Sequence, residues 1–96
     1  MAVRNYKYFH ITGTDDDGLV LTGAGTLYAI VINKSGAATV TLYDSLTTDN
    51  TIGIITIDTA ANNQSPTTLL YNVHLKVGLN VIVSAACDLT VVYRKD

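Results

Sequence analysis

Glutamate and tryptophan are missing from this chain of 96 residues, and cysteine and proline occur once each. All eight acidic residues are aspartates. Glu suits helix interiors whereas Asp favours turns and caps, so the imbalance points away from helical structure. With Cys87 as the single thiol, no intramolecular disulfide can form, and stability must come from packing or oligomerisation. Charged residues make up 15% of the chain, against about 25% in an average soluble domain. The outside must then be covered with Thr, Ser, Asn, Ala and Tyr, or be buried in part against a partner. The six basic residues (Arg4, Lys7, Lys34, Lys76, Arg94, Lys95) are scattered, and the net charge is −2, which argues against a nucleic-acid module. The N-terminus, MAVRNYKYFH, lacks the apolar run of a signal peptide, and no stretch approaches the ~18 apolar residues of a membrane span. A chain made and used from a cytoplasm is expected.

What is present is a succession of short β-rich runs: Arg4–Thr12, Gly18–Thr22, Thr26–Asn33, Ala38–Asp44, Ile52–Asp58, Thr68–Lys76, Leu79–Ser84 and Leu89–Arg94. Turn-forming segments such as TDDDG, TGAG, NKSG, TTDN and ANNQSP separate them, and nearly every Gly falls in or beside a break. Gly53 is the exception, and inside a strand it predicts a bulge or a close backbone approach. Val40 and Leu42 share one face, opposite Thr39, Thr41 and Tyr43. Tyr71, Val73, Leu75 and Val77 alternate with Asn72, His74 and Lys76, and Leu79, Val81 and Val83 form an inward set. Leu27–Ile32 and Ile52–Ile57 are apolar on both faces, as expected of central strands or of strands covered by a neighbouring subunit. About eight strands at roughly ten-residue spacing predict one all-β domain over residues 1–96, a two-sheet antiparallel β-sandwich or jelly roll. A small closed barrel is the alternative. Thr59–Thr67 is expected to be a polar loop.

Candidate chemistry is sparse. Asp15-Asp16-Asp17-Gly18 offers hard oxygen ligands, but the acids do not alternate as in a calcium loop and no Glu closes the set, so a turn with an Asx motif is the expectation. His10 and His74 sit in strand runs without Cys or carboxylate at ligand spacing. Cys87 follows Ser84-Ala85-Ala86 with no Gly-rich elbow or helix start to activate a thiolate, so a buried, inert thiol is expected. Gly23-Ala24-Gly25 lacks the Lys-Ser/Thr of a phosphate loop. No catalytic, metal or cofactor residue is therefore assigned, and no enzyme is expected. The six tyrosines (Tyr6, Tyr8, Tyr28, Tyr43, Tyr71, Tyr93) suit interfaces as well as cores, and could also form a sugar-binding platform.

A family pattern runs from Gly25-Thr26-Leu27-Tyr28-Ala29-Ile30-Val31-Ile32-Asn33 through Ala38-Thr39-Val40-Thr41-Leu42-Tyr43-Asp44. It continues with Leu70-Tyr71-Asn72-Val73 and Gly78-Leu79-Asn80-Val81-Ile82-Val83, and closes with Asp88-Leu89-Thr90-Val91-Val92-Tyr93-Arg94. This order resembles the small all-β virion proteins of tailed bacteriophages, found among head decoration, cement and fibre-associated components. The resemblance implies a structural role in the virion: a symmetric oligomer bound to a capsid or other virion protein. It transfers no catalytic or metal-binding residue. A tail-fibre or free carbohydrate-recognition module is the alternative function.

Low charge together with two-faced strands predicts a homo-oligomer, with a trimer favoured. The segment Met1–Thr12 lies outside the resemblance and is either an attachment arm or the first strand. Arg4, Tyr6, Lys7, Tyr8 and Phe9 are its candidate interface residues.

Overall fold

A computed structural model describes residues 6–34, 38–57 and 67–96 of the chain. Its regular elements are eight strands: β1 (Lys7–Ile11), β2 (Gly18–Thr22), β3 (Gly25–Lys34), β4 (Ala38–Tyr43), β5 (Thr51–Ile57), β6 (Thr67–Leu75), β7 (Gly78–Val83) and β8 (Asp88–Lys95). Arg4 and residues 59–66 of the expected loop lie outside the described residues.

The alternation seen in the sequence becomes two four-stranded antiparallel sheets, one in the order β1-β8-β3-β6 and the other β2-β7-β4-β5. Two separate sheets make a sandwich and not a closed barrel. Strands pair first with last and inward from there: β1 with β8, β2 with β7, β3 with β6, β4 with β5. The chain is thus one long hairpin with its apex between β4 and β5. It is rolled so that β3 also meets β8, and β4 also meets β7. That winding is a jelly roll, the eight-stranded double Greek key.

The core lies between the sheets. Leu27, Ile30, Leu75, Leu89 and Val91 from one sheet meet Val40, Leu42, Leu79 and Val81 from the other, all fully buried. Each such aliphatic side chain contributes about 1.5–3 kcal/mol by leaving water. The inward sets read from β4 and β7 are found there, whereas Val77 lies beyond the end of β6 and is exposed.

β3, apolar on both faces, is central as expected, but β5 is an edge strand, with Ile54 65% exposed. Apolar residues on both sides therefore do not require a central place in the sheet. Gly53 shows the bulge that was one of the two alternatives expected of it, and the close approach there is made by a side chain. The β4–β5 register shifts beside it, and a Cβ there would sit 3.2 Å from the Tyr71 hydroxyl of the facing sheet.

Candidate functional site

Alternation along β8 sends Leu89, Val91 and Tyr93 to the core and leaves Thr90, Val92 and Arg94 on the outer face of its sheet. Val92 stands opposite Tyr8 of β1 on one side and Ala29 of β3 on the other, and Ala29 stands opposite Leu70 of β6. An apolar row, Tyr8–Val92–Ala29–Leu70, thus crosses all four strands. Its ends are open to solvent, Tyr8 at 74% and Leu70 at 64%. Ala29 is buried yet takes no part in the core cluster, so its burial comes from neighbours on the outer face.

The next row, His10–Thr90–Val31–Thr68, gives this strip a threonine-rich border. Tyr28 is the extra residue of a bulge, since Leu27 pairs with Tyr93 while Ala29 pairs with Val92. Bulges re-aim side chains, and here the Tyr28 ring lies 4.7 Å from that of Tyr6 at 33°.

Polar groups gather at the two ends of the face. His10 Nε2 lies 2.6 Å from Asp88 Oδ1, Asn33 Nδ2 donates to Asp88 Oδ1 at 3.1 Å, and Asn33 Nδ2 also donates to Thr90 Oγ1 at 3.0 Å. At the far end His74 Nε2 is 3.3 Å from Asp96 Oδ2. Neither partner was visible at ligand spacing, because His10 and Asp88 are 78 residues apart and meet only when β1 pairs with β8. A His–carboxylate pair can orient a general base, and in covalent catalysis a nucleophile adjoins it. Cys87 does not serve. It belongs to the core cluster, and burial, reinforced by the negative charges of Asp88, Asp16 and Asp17, pushes its thiol pKa up. Among the described residues no three His, Cys, Asp or Glu side chains are placed to hold a metal ion.

The acidic cluster is occupied with backbone. The Asp16 carboxylate accepts from the amides of Thr12 and Gly13 and from the Thr12 hydroxyl, closing the β1–β2 turn. The Thr12 amide, opposed by burial and helped by the Thr12 hydroxyl and the Gly13 amide, lowers its pKa. Asp17 accepts from the amide of Val83 at the end of β7. Asp15 is exposed.

The other outer face, on the β2-β7-β4-β5 sheet, is different. Its central row runs Ile82–Thr41–Ile54, with a threonine between the two isoleucines. The chain covers part of it with the apex segment 44–50. Asn80, on the outward side of β7, donates from Nδ2 to the Thr47 carbonyl and is buried. Leu46 lies against Gly78 so closely that a Cβ there would be 2.8 Å from Leu46 Cδ2. Asp44 fastens the apex: its carboxylate accepts from the amides of Lys76, Val77 and Gly78. Burial works to raise the Asp44 pKa, but the amides of Val77, Lys76 and Gly78 and the Lys76 charge together hold it below the usual range.

The sequence-derived interface residues divide accordingly. Tyr6 and Tyr8 belong to the open face, Lys7 is exposed at the start of β1, and Phe9 packs against the core. β1 itself is a strand of the domain's own sheet. Neither the row across the strands nor the Asp44 fastening was read from the sequence. Tyr8 and Leu70 at alternating outward positions were the available signal for the first. Comparison with protein-family models, curated proteins and solved structures returns no match for this chain.

Proposed function

We propose that this chain is a non-enzymatic virion structural protein, a capsid decoration or cement protein of a tailed bacteriophage. It self-associates, with three copies as the working stoichiometry, and docks on the head shell through the outer face of the β1-β8-β3-β6 sheet. The observation that carries this reading is the apolar Tyr8–Val92–Ala29–Leu70 row, which spans a whole sheet, is open at its Tyr8 and Leu70 ends and has no covering segment among the described residues, while the opposite face is partly covered by the apex. Exposed apolar strips with polar borders mark protein contacts, and the jelly roll is a fold used by capsid components. The sequence resemblance points the same way. The test is to mix the purified protein with phage heads lacking decoration and locate it by electron microscopy. Ordered density on the shell supports the reading, and heads that stay bare refute it.

One observation favours glycan recognition as a second reading. The Tyr6–Tyr28 ring pair lies on the same face as Tyr8 and the Asn33–Asp88 cluster. Aromatic ring faces suit sugars, which a glycan array would reveal. Jelly rolls also occur in lectins.

A further inference from the structure

We infer that the free edge of β1 is a strand-pairing site whose occupant is β1 of a second copy. The sandwich has four edge strands, β1, β6, β2 and β5. Unprotected edges invite pairing with other chains, and natural sheets blunt them with bulges, charges or proline. Three of these edges are blunted. The β2 register shifts between Leu19 and Leu21, and the β5 register shifts beside Gly53. β6 gains an extra residue opposite Tyr28, with Asn72 at φ 52°. β1 differs in its geometry: its five residues, Lys7 to Ile11, pair with β8 one for one, without a bulge, and Lys7 at its start is its one permanently charged side chain. Among the described residues no strand pairs with its other side.

The sequence of β1 suits its own copy. In an antiparallel β1–β1′ pair centred on Tyr8, Tyr8 stands opposite its counterpart, Tyr6 opposite His10, and Lys7 opposite Phe9. The one lysine of the strand therefore never faces its symmetry mate directly, so like charges are not placed opposite each other. The apolar row then runs unbroken through the two-fold axis, from Leu70 of one copy to Leu70 of the other, across a continuous eight-stranded sheet built from the two four-stranded ones. Such an isologous contact gives a dimer by itself or joins two trimers. A five-residue edge pair is small, so the free dimer belongs with weak, transient contacts and gains from neighbours held together on a surface.

This inference rests on the self-association in the proposed function but not on docking to a shell, so it is tested on free protein. Single variants Tyr8→Cys and Leu70→Cys place a thiol at either end of the row, and native Cys87 stays in the core. Directly opposed residues in antiparallel strands have Cβ atoms about 4.5–5.5 Å apart, near disulfide range. Under mild oxidation Tyr8→Cys should form a covalent dimer at least about tenfold faster than Leu70→Cys, since β1 pairing brings only position 8 to the axis. In the unmodified chain, hydrogen exchange at Lys7–Ile11 should slow as protein concentration rises. Equal cross-linking rates overturn the inference. Fast cross-linking at Tyr8→Cys without slowed β1 amides means that faces meet instead of edges, and overturns it too. Particle binding, measured separately, decides the docking proposal whichever way this result falls.

Discussion

The two outer faces of the sandwich carry similar strands and meet water differently. On the β2-β7-β4-β5 face the chain folds its own apex back, with Leu46 against Gly78 and Thr47 against Asn80, and Asp44 tied to the β6–β7 turn. On the β1-β8-β3-β6 face, no such cover is found among the described residues, and Tyr8 and Leu70 stand open. The difference shows how a jelly roll can use one connection to cover part of one sheet while the described segments leave the outer surface of the other open. Hydrophobicity alone does not separate the faces, because Ile54 on the first is as exposed as Leu70 on the second. Continuity does: a threonine interrupts one row and nothing polar interrupts the other.

The comparison is broken most severely at Asp44. Asp44→Ala removes the acceptor shared by the amides of Lys76, Val77 and Gly78 and frees the apex, and with water able to replace part of those bonds it should cost about 2 kcal/mol in chemical denaturation. A loss under about 1 kcal/mol would show that the apex is held by something else. Next comes a matched pair of substitutions. Leu70→Lys should weaken shell binding about tenfold or more, while Ile54→Lys leaves it unchanged. Both should keep stability within about 0.5 kcal/mol, as exposed sites do. Equal effects on binding, measured by sedimentation, would erase the distinction between the faces.

A smaller effect follows from acidity. Asp44 and Asp16 are both held below the usual carboxylate range in the folded chain. Their stabilisation is therefore full above the unfolded value, near about 4, and is lost as pH falls through the folded values. Melting temperature should drop on acidification below about pH 4, and less steeply in Asp44→Asn. Asn80→Ala should matter least, within about 1 kcal/mol. It removes the bond to Thr47, but it also removes Oδ1, a buried acceptor with no hydrogen-bond partner among the described residues.

Much of the fold was legible because its physics is local. Period-two alternation in Thr39–Tyr43 and Leu79–Val83 gives the inward sets directly, and Gly53 announced the register shift beside it. The outer face was legible only in part. Tyr6 and Tyr8 could be assigned to one side of a strand, but their alignment with Val92, Ala29 and Leu70 depends on register between strands distant in sequence. The same holds for His10, which appeared isolated until Asp88 came beside it. Asp44 read as a strand end, and nothing nearby in the chain showed that its carboxylate would cap a turn 32 residues further on.

Rolling one long hairpin has a consequence for the order of assembly. Among the described residues β1 pairs with β8 alone, and β3 sits between β6 and β8, so the first sheet stays open until Asp88–Lys95 has been synthesised. Its closing contacts span nearly the whole chain, and contacts so distant in sequence fold slowly. During synthesis the first strand waits, unpaired, for most of the time the ribosome needs to finish the domain. Removing Leu89–Lys95 would therefore split the first sheet through its middle, where trimming an edge would only narrow it.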